Sequence, residues 1–375
     1  MQHKTTKHTR IIISGGGTGG HIFPAIAIAN ALKKRIDKVN ILFVGAKGRM
    51  EMEKVPEAGF RIIGLNIAGI QRRLTLKNFA VPFKLIGSLL KAKRIIKRYQ
   101  PDVVIGVGGY ASGPVLRVAT KRNIPTVIQE QNSFPGLTNR ILGKKVSKIC
   151  VAYSGMEKYF PKEKIYLTGN PIRFEIQNIE GKREKGLRYF GLNPDKKVLL
   201  VVGGSLGARS INESIKENLK LFAENEIQII WQTGKYYYSV ANKSVEEFRD
   251  KNIEAYEFIN AMDLAYAASD VIVSRAGAIA VSEISTVNKP AILIPLPSAA
   301  EDHQTKNAIS LVNHNAAILV KDEDANDKLG KVILDLVKDE EKQIKIKENL
   351  VGLVIKDSAN KIASVILSLI KNNEL

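Results

Sequence analysis

Two glycine-rich turns, each between an apolar run and a helical pattern, constrain the fold of this 375-residue chain more than any other feature. The first, Gly15–Gly20, follows the run Arg10–Ser14, and the second begins at Gly203 after Val198–Val202. A parallel strand joins a helix in this way, and the N-terminus of such a helix can face an anion. Finding the arrangement twice predicts two nucleotide-fold domains with a ligand between them.

Apolar runs alternate with helical patterns along most of the chain, which predicts a doubly wound α/β fold with parallel sheets. Such sheets bind ligands at the carboxyl ends of their strands, where the glycine turns lie. A break at Gly169–Pro171 predicts domains of residues 1–170 and 171–375, and we expect the amphipathic helix from Asp357 onward to pack back on the first domain. The predicted strands are Arg10–Ser14, Asn40–Gly45, Val103–Val107, Thr126–Glu130, Lys148–Val151, Lys197–Val202, Gln228–Gln232, Ile253–Phe258, Val271–Ser274, Ala291–Pro295 and Ala317–Val320.

The net charge of +20 is concentrated in the first half of the chain. Residues 1–175 hold 31 Lys and Arg against 9 Asp and Glu, whereas the remainder holds 26 against 28. A basic half favours an anionic partner, such as nucleic acid, acidic lipid headgroups or a phosphorylated substrate. Between Glu57 and Asp102 no acid occurs, and basic residues alternate with apolar ones. This segment suits attachment to an anionic membrane surface, and an ordinary surface helix is the alternative. Its basic residues after Arg61 are Arg72, Arg73, Lys77, Lys84, Lys91, Lys93, Arg94, Lys97 and Arg98.

Cysteine and histidine usage limits the chemistry that the chain can perform. The single cysteine, Cys150, excludes an intrachain disulfide and favours a reducing compartment. The five histidines show no metal-ligand spacing, and there is no cysteine cluster, so we expect neither a metal nor a cofactor. No stretch reaches the roughly 20 apolar residues of a spanning helix. The run after Arg10 is too short for a signal peptide, so a cytoplasmic protein is expected.

The first glycine turn formally satisfies the G-x-G-x-x-G pattern of dinucleotide-binding folds. A NAD-type fold would place an acid at the end of the next strand, but Gly45 stands there. The turn is therefore expected to face a diphosphate or an acceptor sugar. His21 follows the glycines, where a neutral imidazole could accept a proton from an attacking hydroxyl. A structural histidine that bonds a neighbouring loop is equally compatible with this position.

Further polar groups follow other predicted strands. Gly106–Tyr110 is another glycine loop, and Glu130–Ser133 places a carboxylate and two amides at a strand end, as sugar-binding sites do. In the second half, Glu283 lies one or two turns into a helix, where its carboxylate could accept both hydroxyls of a ribose. Favourable charge near a helix N-terminus is the simpler explanation for that acid. Gln304 suits hydrogen bonding to a sugar.

With these motifs in this order, the chain closely resembles the MurG family of bacterial peptidoglycan synthesis over nearly its whole length. The matching segments are Gly15–Pro24, Gly106–Pro114, Glu130–Asn139, Gly169–Arg173, Gly203–Asn212, Phe258–Met262, Ser274–Glu283 and His303–Ala308. The resemblance implies the GT-B architecture, with two Rossmann-like domains and a cleft between them. It also implies inverting transfer of GlcNAc from UDP-GlcNAc to the 4-hydroxyl of MurNAc in lipid I, which forms the β-1,4 linkage of lipid II.

The resemblance also implies roles for individual residues. Ile259 would read uracil through its backbone, and Glu283 would hold the ribose. His21 would lie toward the acceptor as candidate base, with Glu130 as a second candidate catalytic residue. The other implied donor residues are Thr18, Gly19, Gly20, Arg173 and Ser205 at the diphosphate, Asn132 and Gln304 at GlcNAc, and Ala278, Ile279, Ala280, Val281 and Ser282 beside Glu283. The implied acceptor-side residues are Gly16, Gly17, Gly109 and Tyr110.

The implied partners are UDP-GlcNAc, lipid I and an anionic membrane surface, with the enzyme peripheral on the cytoplasmic face of the cell membrane. One departure is Ala280, which stands where many relatives carry a hydroxyl residue. Three alternatives remain: a GT-B transferase with another lipid acceptor such as diacylglycerol, a nucleic-acid-binding protein, and a Rossmann oxidoreductase. The pI of 9.7 suggests the second, but no nucleic-acid-binding module is recognisable, so no nucleic acid is expected. Gly45 argues against the third. The sequence does not fix the oligomeric state.

Overall fold

The structure is a computed structural model that describes residues 8–67, 81–204 and 206–371. The chain forms two compact units. Unit 1 comprises the residues up to Arg173 together with those from Ile355 onward, and unit 2 comprises Phe174–Val354. Each unit contains one parallel sheet with helices on both faces, which confirms the predicted doubly wound α/β class.

Unit 1 contains a seven-stranded parallel sheet with the strand order β3-β2-β1-β4-β5-β6-β7. Its strands are β1 (Thr9–Ser14), β2 (Val39–Ala46), β3 (Arg61–Leu65), β4 (Val103–Gly106), β5 (Thr126–Glu130), β6 (Lys148–Val151) and β7 (Ile165–Leu167). Its helices are α1 (Gly19–Arg35), α2 (Glu51–Glu57), α3 (Val81–Tyr99), α4 (Ser112–Thr120), α5 (Leu137–Gly143) and α16 (Ser358–Lys371). The edge strands β3 and β7 are absent from the strands that the sequence predicts.

Side chains on the two faces of β1 enter two separate cores, as a sheet covered on both sides requires. Ile11 and Ile13 pack in one core with residues of α1 and α16, and Ile12 packs in the other with residues of α3 and α4. Within the first core, Ile362 and Ile366 of α16 are fully buried. The final helix is therefore part of the core of unit 1.

Unit 2 repeats the design with a six-stranded parallel sheet of order β10-β9-β8-β11-β12-β13. Its strands are β8 (Val198–Val202), β9 (Gln228–Gln232), β10 (Ile253–Tyr256), β11 (Val271–Ser274), β12 (Ala291–Leu293) and β13 (Ile318–Leu319). Its helices are α6 (Phe174–Gln177), α7 (Arg183–Phe190), α8 (Arg209–Glu217), α9 (Leu219–Glu224), α10 (Tyr238–Ser244), α11 (Met262–Ala268), α12 (Ala278–Thr286), α13 (His303–Val312), α14 (Ala325–Lys338) and α15 (Glu340–Val351).

Strand order places each glycine turn at a ligand-binding position. In unit 1 the order reverses between β1 and β4, and in unit 2 it reverses between β8 and β11. Doubly wound sheets bind ligands in the crevice outside the carboxyl ends of the strands at this switch point. The turns that follow β1 and β8 both lie there. No helix within the described ranges is long and apolar enough to cross a membrane.

Candidate active site

In unit 1 the glycine turn after β1 packs directly against the glycine turn after β4. The Gly109 backbone has φ +77°, and a Cβ atom on it would lie 2.3 Å from the Gly16 carbonyl oxygen. A Cβ on Gly15 would lie 2.2 Å from a methyl group of Val107. Neither contact would survive a side chain, so glycine is required for this close approach. The packing brings Gly16, Gly17 and Gly109 together, beside Tyr110, whose side chain is 58% exposed.

A buried carboxylate that sequence reasoning missed supports the first glycine turn. Glu51, the first residue of α2, is only 1% exposed. Its Oε2 accepts a hydrogen bond from the Gly17 N–H at 3.0 Å, and its Oε1 accepts one from the Ala46 N–H at 2.8 Å. A Cβ on Gly16 would lie 2.1 Å from Oε1, and one on Gly45 would lie 2.6 Å from the Glu51 Cγ. Position 45 has no acidic side chain, but the carboxylate of Glu51 lies beside it. That carboxylate accepts hydrogen bonds from backbone N–H groups.

Helix α1 begins at Gly19 and directs its N-terminus toward the same edge of the sheet. The Thr18 carbonyl accepts hydrogen bonds from the N–H groups of His21 and Ile22, and the first turn contains no acidic residue. The Arg173 guanidinium lies over the Phe23 ring at 5.3 Å from its centroid. The positive end of the helix dipole and the Arg173 cation are therefore both close to Phe23 in the first turns of α1, and groups of this kind attract anions.

Glu130 organises the loop that carries Asn132. Its Oε1 accepts hydrogen bonds from the Asn132 N–H at 3.0 Å and from the Asn132 amide at 3.1 Å. Its Oε2 accepts from the Gly136 N–H at 3.0 Å and from the Asn139 amide at 2.9 Å. Burial raises the pKa of the Glu130 carboxyl, and these four donors oppose that shift. With both oxygens engaged, Glu130 has the geometry of a positioning residue.

The glycine turn of unit 2 is held against the end of β9 by buried polar groups. A Cβ on Gly207, where φ is +86°, would lie 2.3 Å from the Thr233 carbonyl oxygen. The Asn212 amide donates to that carbonyl at 2.8 Å and accepts from the indole N–H of Trp231 at 3.0 Å. The backbone of the turn at Gly207 is therefore held by buried hydrogen bonds of the protein itself. Ser205, which the resemblance assigns to the diphosphate, lies outside the described residues.

Glu283 lies in α12, which begins at Ala278, and its side chain is 5% exposed. Its Oε2 accepts a hydrogen bond from the Tyr266 hydroxyl at 3.2 Å. Tyr266 was missed because it falls within an apolar helix pattern on α11, with no neighbouring signal that suggests polar contact. The remaining residues of the α12 start, Ala278, Ile279, Ala280, Val281 and Ser282, form its first turn and a half.

Ile259 and Gln304, which the resemblance assigns to the donor, each have one polar group already engaged. The Ile259 N–H donates to the Gln232 Oε1 at 3.0 Å, so the backbone donor of Ile259 is already engaged. The Gln304 Oε1 accepts from the Leu296 N–H at 2.9 Å, which assigns its amide group as a donor. Both contacts lie at the carboxyl side of the sheet in unit 2. No group of three His, Cys, Asp or Glu side chains within the described residues could hold a metal ion.

Comparisons with known proteins identify the family. Residues 11–151 match the glycosyltransferase family 28 N-terminal domain, and residues 198–365 match the family 28 C-terminal domain. A protein of Parabacteroides distasonis is 50% identical over 96% of this chain and 98% of its own length. A protein of Bacteroides fragilis is 51% identical over 96% and 95%. Both are named UDP-N-acetylglucosamine–N-acetylmuramyl-(pentapeptide) pyrophosphoryl-undecaprenol N-acetylglucosamine transferase.

The crystal structure of Acinetobacter baumannii MurG is 25% identical, superimposes with a TM-score of 0.76, and covers 96% of this chain and 99% of that one. The chain belongs to the MurG family. This membership, together with the two parallel-sheet units, confirms the predicted GT-B fold. The MurG-like chain is thus a hexosyltransferase of glycosyltransferase family 28.

The contacts of Glu51 predict a measurable contribution to stability. The variant Glu51→Gln keeps the shape of the side chain but turns an NH₂ group toward one of the two buried N–H donors. We expect it to lower the free energy of unfolding by about 1–3 kcal/mol, the cost of one unsatisfied buried donor. The measurement is urea unfolding followed by circular dichroism. Glu53→Gln, at an exposed position of α2, is the matched control, and equal midpoints for the two variants would contradict the role of Glu51.

Proposed function

We propose that this chain transfers GlcNAc from UDP-GlcNAc to the 4-hydroxyl of MurNAc in lipid I, with inversion, to form lipid II for peptidoglycan. The observation that carries the proposal is about 50% identity, over nearly the full length of both chains, to proteins named for this reaction. Each unit contributes a glycine turn at the switch point of its sheet, where a doubly wound domain binds a ligand. A ligand-binding position is therefore expected in each unit.

The donor diphosphate would be stabilised by Arg173 and by the N-terminus of α1. UDP is the leaving group, so negative charge grows on the diphosphate as the bond to the sugar breaks. Fixed N–H groups and a guanidinium directed at that charge lower the barrier because they need no reorganisation during the reaction. Thr18, Gly19 and Gly20 supply the helix start, and Ser205 would contribute from the second glycine turn.

The uridine would bind to unit 2. Glu283 would accept hydrogen bonds from the ribose hydroxyls, and the Tyr266 hydroxyl would hold the carboxylate in position at its other face. The Ile259 carbonyl would accept the uracil imide N–H, since the Ile259 N–H is bonded to Gln232. The residues Ala278 to Ser282 would line the ribose as the first turns of α12. Asn132 and Gln304 would bind the hydroxyls of GlcNAc through their amide groups.

His21 would take the proton from the MurNAc hydroxyl as it attacks the anomeric carbon. Inversion requires that proton to leave on the face opposite UDP, and a neutral imidazole is the ordinary base for this at neutral pH. Gly16, Gly17, Gly109 and Tyr110 would border the acceptor, because they meet beside His21 at the edge of the sheet. Glu130 would act through Asn132, whose backbone and side chain it fixes.

Helix α3 offers a surface for the lipid-bearing membrane. The apolar side chains Phe83, Ile86 and Leu90 are exposed on one face of this helix. Exposed basic residues follow on the same face toward the C-terminus of the helix. These basic residues are Lys93, Arg94 and Lys97. Apolar side chains at one end and cations at the other suit insertion into an anionic interface, which would place the enzyme on the cytoplasmic face of the membrane. The basic residues Arg72, Arg73 and Lys77 lie outside the described residues.

A transfer assay tests the reaction itself. Labelled UDP-GlcNAc and a short-chain lipid I analogue, incubated with the full chain and EDTA, are expected to give a lipid II-like product with a β-1,4 linkage. Diacylglycerol serves as the competing acceptor. Product on diacylglycerol alone would replace lipid I by another lipid acceptor, and an α linkage would overturn the inverting mechanism. Loss of product with EDTA would show that a divalent cation takes part.

Glu283 provides a test of the donor site. The variant Glu283→Ala is expected to weaken UDP-GlcNAc binding by about 10- to 100-fold, because hydrogen bonds to a charged acceptor contribute about 1.5–3 kcal/mol. Isothermal titration calorimetry measures the affinity, and Glu247→Ala, at an exposed position of the same unit, is the control. Unchanged affinity in Glu283→Ala would remove the ribose role.

Charge reversal on α3 tests the membrane surface. Replacing Lys93, Arg94 and Lys97 by Glu should lower the affinity for anionic liposomes by at least about 100-fold, since each basic residue near such a surface contributes about 1 kcal/mol. Flotation with the liposomes measures this affinity. The control carries the same charge change at Lys331, Lys338 and Lys345, which are exposed on α14 and α15 of unit 2. Equal flotation of both variants would show that α3 is an ordinary surface helix.

A further inference from the structure

Three buried side-chain amides form a connected network where β4 and β5 end. Gln129, Gln131 and Asn170 have at most 6% of their surface exposed. The Gln129 NH₂ donates to the Asn170 Oδ1 at 3.0 Å, and the Asn170 NH₂ donates to the Gln131 carbonyl at 2.9 Å. The Gln131 NH₂ donates to the Val107 carbonyl at 2.7 Å and to the Gln129 Oε1. The position of Gln131 is therefore fixed through both its backbone and its side chain.

This network determines which way the Gln131 amide faces. Its nitrogen lies against two acceptors, the Val107 carbonyl and the Gln129 Oε1, so only the NH₂ group can occupy that side. The Gln129 orientation is set in turn by its own donation to Asn170. The Gln131 Oε1 must then face the opposite way. This oxygen is buried and has no hydrogen-bond partner among the described residues. A buried acceptor in this state favours any donor that can reach it.

The Nδ1 atom of the His21 imidazole lies near this oxygen. Gly108 has φ +92°, and an ideal Cβ on it would lie 2.9 Å from the His21 Nδ1 and 3.6 Å from the Gln131 Oε1. Both atoms therefore border the small space above the Gly108 Cα, which stays open because position 108 has no side chain. A direct hydrogen bond or one bridging water can join atoms placed in this way.

We propose that Gln131 is a positioning residue that accepts the Nδ1–H of His21 and so keeps the Nε2 of His21 unprotonated. The inference rests on the proposed function, in which His21 takes the acceptor proton. A neutral imidazole carries one proton, and only the nitrogen without it can act as a base. An acceptor at Nδ1 selects the tautomer with a lone pair on Nε2, as a carboxylate does for the histidine of a hydrolase triad. An amide acceptor does this without adding a negative charge to the site.

The tautomer of His21 can be read directly. The full-length protein is labelled with ¹⁵N-histidine, and two-bond ¹⁵N–¹H correlation spectra are recorded at a pH where the imidazole is neutral. Loss of one resonance set in His21→Gln assigns His21 among the five histidines. We expect the wild-type ring to carry its proton on Nδ1. A wild-type ring protonated on Nε2 would overturn the proposal without any Gln131 variant.

Two variants separate positioning from packing. Gln131→Met removes the acceptor at similar volume and is expected to shift His21 to the Nε2–H tautomer. It should also lower kcat by about 10- to 100-fold, which is part of the rate acceleration that a general base contributes. The KM for UDP-GlcNAc should stay unchanged. Gln129→Met is the matched control, because it breaks the network but leaves the Gln131 NH₂ bonded to Val107. An unshifted tautomer in Gln131→Met, or an equal shift in Gln129→Met, would overturn the proposal.

The same measurements separate this inference from the proposed function. The tautomer is observed without substrate, so it decides the role of Gln131 even if no GlcNAc transfer is found. An active transferase whose His21 carries its proton on Nε2 would leave the proposed function standing and remove the inference alone. An inactive chain whose His21 carries its proton on Nδ1 would leave the inference standing and remove the proposed function alone.

Discussion

The site of unit 1 depends on a contact between two stretches of backbone that leaves no room for a side chain. The Cα of Gly109 meets the carbonyl of Gly16, so the turns after β1 and β4 form one packed layer at the switch point of the sheet. This layer leaves a space over Gly108 that the His21 ring borders. Because each close approach needs a missing Cβ, the glycines here are a steric requirement as well as a conformational one.

Buried polar side chains hold this layer in place. Glu51 accepts from the backbone of the first turn and of β2, Glu130 fixes the loop of Asn132, and the amides of Gln129 and Gln131 join the ends of β5 and β4. A buried polar group is costly unless its hydrogen bonds are made, so each of these networks favours a single arrangement of the loops. The site is consequently preorganised, and little of the binding energy would be spent on ordering it.

The general architecture could be predicted from the sequence because it follows local patterns. Apolar runs next to glycines indicate parallel strands and mark their carboxyl ends, and the ordered motifs indicate the family. Strand β3 was missed because Gly64 interrupts a run of only two isoleucines, and β7 because it has three residues. Both are edge strands, which need less apolar sequence than central ones.

The supporting groups could not be predicted in the same way, because their partners are distant in sequence. Glu51 lies 34 positions from Gly17, and Tyr266 lies 17 positions from Glu283. The sequence has Gly45 where an acid at the end of β2 is expected, and it does not show that the Glu51 side chain reaches this position from α2. Tyr266 reads as one more apolar residue of a buried helix, and only the fold shows that its hydroxyl reaches a carboxylate.

Both units contain carboxylates that are buried and already hydrogen-bonded. The carboxylates of Glu51, Glu130 and Glu283 accept hydrogen bonds from N–H or O–H donors, whereas the start of α1 at Gly19 and the guanidinium of Arg173 supply positive charge in unit 1. A carboxylate that already accepts hydrogen bonds repels a nearby diphosphate less than one with unsatisfied lone pairs, because its charge is partly neutralised by the donors. Acids can therefore stabilise the loops of an anion-binding site without cancelling the positive potential that the site needs.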